Sequence, residues 1–259
     1  MSENSAADGK NSESKGAGVA AVDRALSIMA AFGRDDQSLT LAALAERTGI
    51  YKSTILRLSQ SLVRYGYLQR LEDGQFQIGP TPLTLGARYQ RSMQVGGIVL
   101  PLMRKLAEST RESVSFYVIH GTVRLCVHRI DSDHEIRDHV REGEVFPLTR
   151  GSGGGVLSAF SGTRGQRYQA IRRTCYYISL GERNSETAGI SAPVFGAAER
   201  LLGSLTISGP RSRVGQSFLD AVRVPLLTAA ARATAGLGGD PQPLEDALRL
   251  VTAVEPRTK

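Results

Sequence analysis

The chain has 259 residues, 41% of them hydrophobic and 22% charged, and a formal net charge of +7. This length suits two modest domains better than one small core, and the composition is that of an ordinary soluble protein. No apolar run is long enough to span a bilayer, and the two cysteines, Cys126 and Cys175, are too few and too far apart for a disulfide framework or a zinc pair.

Residues 1–18 are polar, rich in Ser, Gly and Asn and without periodicity, which predicts a disordered tail. Glu3, Asp8, Lys10 and Glu13 stand where a signal peptide needs an apolar core, so a cytoplasmic protein is expected. From Val19 a helical pattern places Val22, Leu26, Met29 and Phe32 on one face, and the polar stretch 33–38 stops it. Thr40 suits the cap of a second helix with Leu41, Leu44 and Ala45 inward. Gly49 breaks that helix. A third follows from Lys52, with Ile55, Leu58 and Leu62 inward, and ends near Gly66. Leu68, Phe76 and Ile78 then alternate with polar residues around Glu72-Asp73-Gly74, which is hairpin chemistry. Helices followed by a hairpin over residues 19–80 predict a winged helix-turn-helix.

Pro80 and Pro82 open a helical stretch, 83–92, that ends before Gly96-Gly97, so residues 81–95 read as a linker helix. Residues 96–240 alternate helix and strand. An amphipathic helix is expected at 98–108, strands at 113–119 and 123–130, and a less regular strand or loop at 140–148. A glycine-rich turn at 151–155 opens into a short helix. Strands at 176–179, 189–195 and 202–208 and a closing helix at 218–235 follow. Strands in the middle and helices at both ends predict an α+β, sensor-like domain. Residues 241–259 contain prolines and read as a loose C-terminal tail.

Charge is placed unevenly. From Arg47 to Leu71 there are five basic residues (Arg47, Lys52, Arg57, Arg64 and Arg70) and no acid. In a helix-turn-helix the second helix of the pair enters the major groove with its N-terminal residues at the bases. Here those are Lys52, Ser53 and Thr54, then Arg57 and Gln60. The helix start and its hydroxyls suit phosphate, and Arg57 and Gln60 suit guanine and adenine edges. Arg70, with Gln75 on the wing, is placed to reach flanking backbone. Leu56 faces outward and either touches thymine methyl groups or is a scattered surface leucine; the sequence leaves both open. A solvated basic face would carry the same charge, so the DNA reading rests on turn spacing, hairpin and missing acids together.

Several segments resemble the IclR family of bacterial regulators: AVDRALSIMAAF, LTLAALAERTGIYKSTILRLSQSLVRYGYLQRLEDGQFQIGP, LTLGARYQRS, GEVFPLTRGSGGGVLSAF and SAPVFGAAERLLGSLTISGP, in that order from about Val19 to Gly238. The resemblance implies a winged helix-turn-helix, a linker helix and a C-terminal effector-binding domain of GAF-like α/β fold. It also implies dimers formed mainly through the DNA-binding domains, often paired into tetramers, and a small metabolite, often an organic acid or aromatic breakdown product, as effector. Leu56 stands where the family often has an aromatic or histidine. Ser59 stands where it often has leucine, which predicts looser packing there.

Matched by motif, the effector pocket would be lined by Phe146, Ser152 and Gly153, by Ser179 and Thr187, and by Thr206 and Ser208. Thr206 and Ser208 are two apart on a strand and so share a face. Glycines opening a helix offer unhindered N–H groups at a positive helix end, a seat for a carboxylate. The expected ligand is a small acid. No Gly-x-Ser-x-Gly or His-Glu-x-x-His motif occurs, so no enzyme, cofactor or metal is expected. The run from His128 to His139 gathers three histidines and three aspartates but fits no metal template and reads as a solvated loop. The expected function is a regulator, a repressor in preference to an activator. It would bind a pseudo-palindromic double-stranded operator as a homodimer or dimer of dimers, without a membrane. The effector would bias the placement of the DNA-binding domains through the linker helix.

Overall fold

The computed structural model describes residues 18–254, so the tail expected over residues 1–18 lies, but for Gly18, outside the described residues. The chain divides into two compact units, residues 1–88 and 89–259.

The first unit holds helices α1 (Ala20–Ala30), α2 (Leu41–Thr48) and α3 (Lys52–Arg64), a hairpin of β1 (Leu68–Arg70) and β2 (Phe76–Ile78), and the start of α4 (Thr81–Ser92). Thr40 caps α2 by accepting the Ala43 N–H at 3.1 Å. Gly49 ends α2 with φ +67°, a left-handed turn that a Cβ would strain, and this aims α3. Leu39 exchanges both backbone hydrogen bonds with Phe76, tying the wing to the segment before α2. The core is Ile28, Leu39, Leu44, Ile55, Leu68 and Phe76.

Two inward faces differ from expectation. On α1 the buried residue is Ile28, while Met29 and Phe32 are half-buried and Val22 and Leu26 are exposed. This helix is apolar on two sides, and the bundle uses one of them. On α3 the buried residues are Ile55 and Ser59, with Leu58 and Leu62 only half-buried.

The second unit is a six-stranded antiparallel sheet in the order β5-β4-β3-β8-β7-β6. Its strands are β3 (Ser113–His120), β4 (Val123–Ile130), β5 (Val145–Pro147), β6 (Tyr177–Leu180), β7 (Thr187–Phe195) and β8 (Leu201–Pro210). The helices are α5 (Gly96–Thr110), α6 (Gly151–Phe160), α7 (Gln166–Thr174), α8 (Gln216–Ala221), α9 (Arg223–Gly236) and α10 (Gln242–Val254). Period-two alternation gives the central strands two unlike faces. Val114, Phe116, Val118, Ile190, Ala192, Leu205 and Ile207 join Met103 and Leu106 of α5 and Leu226, Leu227 and Ala230 of α9 in the main core. The opposite face carries Ser115, Tyr117, Ser191, Ser204, Thr206 and Ser208, all buried, and is covered by α6.

Four local expectations are corrected. The glycines 151–155 are the first turns of α6 itself and not a turn before it, because their bareness lets the helix lie on the sheet. A Cβ on Gly154 would sit 2.4 Å from the Leu148 carbonyl oxygen, and one on Gly155 would sit 2.7 Å from the Tyr177 ring. The closing helix is two helices, α8 and α9. Helix α7, polar and arginine-rich, was not anticipated. Residues 242–254, expected within a loose tail, form α10, with Leu244 and Ala247 buried against α9. Among the described residues no helix is long and apolar enough to cross a membrane.

Candidate DNA-reading face and effector cavity

Helix α3 presents Lys52, Ser53, Leu56, Arg57 and Gln60 to solvent, with Thr54 half-buried beside them. Its residue periodicity puts Ile55 and Ser59 into the core, and this fixes the outward rotation of the polar side chains. No side chain caps its first turn and no acid lies in it, so the positive helix end is left for an external anion. Tyr51, at the helix start, is 86% exposed, an aromatic on this face that the sequence reading passed over. Arg70 lies with Leu56, Ser59, Gln60, Val63 and Arg64 around a groove between α3 and the wing, its guanidinium 5.9 Å from the Phe76 ring centre. The structure thus brings Leu56, Gln60 and Arg70 to one groove, with Lys52, Ser53 and Arg57 exposed on the same helix. Ser59 is 1% exposed and its Oγ has no hydrogen-bond partner among the described residues.

The second unit holds a small, partly open cavity of about 30 Å3 between the N-terminus of α6 and the polar face of the sheet. Register builds its floor: Ser179 of β6 pairs with Gly189 of β7, which pairs with Ser208 of β8. Two residues along, Ser191 stands opposite Thr206, and its Oγ bonds Ser152 Oγ at 2.8 Å and Thr206 Oγ1 at 2.7 Å. Gly153 belongs to the same wall, because a Cβ there would lie 3.2 Å from Thr206 Oγ1. Ser152, Gly153, Ser179, Thr187, Thr206 and Ser208 thus converge on one space. Phe146 stands beside it without lining it. Its ring is 5.3 Å from each of the Arg124 and Arg183 guanidinium groups and meets Tyr117 edge-on.

The sequence reading missed the charges. Arg124, Arg183 and Asp138 line the cavity with Tyr117. Arg124 is 2% exposed; it donates to the carbonyls of Pro147 (3.2 Å) and Arg150, and its Nε has no partner among the described residues. Burial, and after it the nearby Arg183 charge, pull the Arg124 pKa below the ordinary arginine value, yet a guanidinium keeps its proton in proteins. A buried cation bonded only to neutral carbonyls is costly and invites an anion. Arg183 instead pairs with Asp138, whose Oδ2 accepts from Ser208 Oγ at 2.9 Å. Asp138 comes from the run expected as a solvated loop. It is buried, because Arg183 and Ser208 draw it inward. No local signal marks Arg124, the second residue of β4, as inward-facing.

The two thiols are buried, and burial raises their pKa to about 12 for Cys126 and about 11 for Cys175, so neither is a ready nucleophile. Among the described residues no three His, Cys, Asp or Glu side chains are grouped to hold a metal ion.

Residues 21–72 match the IclR helix-turn-helix domain, and residues 87–169 and 165–235 match the C-terminal domain of bacterial transcriptional regulator IclR. The chain belongs to the IclR family. It is therefore a DNA-binding transcriptional regulator, with the helix-turn-helix and α/β domain that the resemblance implied. KipR, a helix-turn-helix transcriptional regulator of Bacillus subtilis, is 25% identical over 216 residues, covering 74% of this chain and 84% of KipR. An IclR regulator from Alicyclobacillus acidocaldarius superposes with a TM-score of 0.71 at 20% identity, over 85% of this chain and 100% of that one. An IclR homologue from Microbacterium hydrocarbonoxydans, crystallised with 4-hydroxybenzoate, gives 0.68 at 18% identity, over 89% and 99% of the two chains. At these identities the superpositions show the common fold.

Proposed function

We propose that this IclR regulator binds a pseudo-palindromic operator as a cytoplasmic homodimer or dimer of dimers, and that a small organic acid in the α6 cavity modulates that binding. The observation that carries the effector reading is Arg124, a buried guanidinium without an ion pair among the described residues, above a hydroxyl-lined floor and beside a helix N-terminus. A carboxylate there gains charge-assisted hydrogen bonds and neutralises a desolvated cation. Phe146, Ser152, Gly153, Ser179, Thr187, Thr206 and Ser208 form or border the site, and Tyr117 and Phe146 supply aromatic surface for a ring. The 4-hydroxybenzoate bound by the Microbacterium homologue belongs to this chemical class.

On the DNA side, Lys52, Ser53 and Thr54 would hold phosphate, Arg57 and Gln60 would read base edges, Leu56 would meet a thymine methyl, and Arg70 would hold flanking backbone. The exposed apolar stripe of Val22 and Leu26 on α1, with Val19 just before it, supports pairing of two copies through their DNA-binding units. Residues 19–80 would serve as the DNA-binding domain, 81–95 as the linker and 96–240 as the effector domain, with repression favoured over activation.

The test is a thermal-shift screen of aromatic and aliphatic acids against their neutral amides, followed by operator footprinting with and without each stabilising compound. Acids should stabilise the protein and shift the footprint. Stabilisation by neutral compounds alone would remove the acid reading, and a footprint indifferent to every stabilising acid would remove the regulatory one.

A further inference from the structure

Asp138 is the one carboxylate lining the cavity among the described residues. It lies in segment 131–144, which has neither helix nor strand, and its side chain is 4% exposed. Its oxygens are taken by Arg183 and Ser208, two groups that an incoming acid would also seek. An acid that binds Arg183 must displace Asp138, and one that binds Arg124 sets a like charge beside it. Either way an acid disfavours the arrangement in which Asp138 is seated.

Four residues further along the same segment, Glu142 reaches the linker helix. Its Oε2 accepts from Gln90 Nε2 at 3.0 Å, and that nitrogen also donates to the Val127 carbonyl at 2.8 Å. Gln90 stands in the last turn of α4, the helix that begins at Thr81 in the first unit. Arg129 of β4 fastens the segment at both Asp138 and Glu142. Its side chain donates to the Asp138 carbonyl and to Ser115 Oγ, and its backbone N–H donates to Glu142 Oε1 at 2.9 Å. The segment is a strap, seated in the cavity at Asp138 in its middle and on the linker helix at Glu142 near its end.

We propose that Asp138 is the resident anion of the effector cavity, and that its displacement is carried by strap 131–144 through Glu142 to Gln90 on the linker helix. The inference rests on the effector reading of the cavity for its biological sense. The ligand differs in its interaction with seated and released strap, which is the requirement for shifting an equilibrium, and the contacts form a continuous chain between the two ends.

The test needs no ligand. Hydrogen–deuterium exchange of the full chain is compared for wild type, Asp138→Asn, Glu142→Gln and the double variant. Asp138→Asn should speed exchange across 131–144 about tenfold and across 86–94 several-fold. Glu142→Gln leaves one carbonyl oxygen for two donors, Gln90 Nε2 and the Arg129 N–H, and should loosen 86–94 with less than a twofold effect on 131–138. The double variant should equal Asp138→Asn at 86–94, because one chain can be cut only once. Ser208→Ala, a milder release of Asp138, should give the same pattern at smaller amplitude and stands in if Asp138→Asn does not fold. A strap loosened by Asp138→Asn with 86–94 within twofold of wild type would overturn the proposal, and so would additive effects in the double variant. Coupling that persists while every acid fails to bind would instead remove the effector reading and leave the strap.

Discussion

The recognition face and the effector cavity both collect positive charge, but they hold it in opposite ways. On α3 the cations are exposed, solvated and individually cheap, and what matters is that no acid shares their face. In the cavity the cations are few and desolvated; one is bonded to neutral carbonyls, and the other is paired with a carboxylate from the strap. A partner that meets the first surface exchanges counterions along an open helix. One that enters the second must replace hydrogen bonds that already exist. The lesson is that a surface site can be built on one helix, whereas a site that senses a small molecule has to be assembled from distant segments and kept slightly unsatisfied.

The largest expected break in this comparison is steric. Gly154→Ala would push a methyl against the Leu148 carbonyl and Arg124 and should destabilise the effector unit by about 3 kcal/mol. Gly49→Ala meets nothing within 4 Å and should cost only its left-handed backbone, about 1 kcal/mol. Urea titrations of both variants decide this, and equal losses would mean that α6 is not closely packed on the sheet. Next comes function. Arg57→Ala should weaken operator binding by about 1–3 kcal/mol with stability unchanged, read by fluorescence anisotropy at fixed salt. Arg124→Met should lower affinity for any acid that stabilises the wild type by at least tenfold, about 1.4 kcal/mol, in calorimetry, and should leave operator affinity without ligand in place.

Smaller still is Ser59→Ala. It removes a buried hydroxyl without a partner among the described residues and should stabilise the first unit by about 1 kcal/mol in thermal melts; a loss would mean that the hydroxyl is satisfied by water. The smallest effect is one of pH. Burial of His128, whose Nε2 lies against Gly96, holds its pKa below the ordinary 6.5, with Glu142 opposing. Since the folded state favours the neutral ring, the stability it contributes is full above 6.5 and is lost as pH falls through the depressed folded value. Chemical denaturation between pH 7 and 5 should show this loss, and His128→Asn should flatten it.

Much of the first unit was legible because its determinants are local. Thr40 as a cap, Gly49 as a stop and the turn after Leu71 each act within a few residues, and the outward set on α3 follows from helical periodicity. What the pattern could not settle was which of two apolar stripes on α1 the bundle buries, since both have the same spacing. In the cavity, Thr206 and Ser208 were readable from strand alternation, and Ser152 and Gly153 from the resemblance. Arg124, Arg183 and Asp138 were not, because nothing local marks an arginine on a strand or an aspartate in an irregular run as inward-facing. Their burial depends on one another.

The sequence by itself determined the family, the helix-turn-helix, the outward polar set on α3, and the shared strand face of Thr206 and Ser208. Each of these follows from short-range periodicity or from a contiguous motif. Only the tertiary structure decided that the glycine run is a helix laid on the sheet, that the C-terminal residues 242–254 pack as α10, and that a carboxylate from segment 131–144 neutralises an arginine inside the cavity. Those features depend on close approach and charge pairing between segments tens of residues apart, and a linear pattern carries no record of which buried charge will meet which.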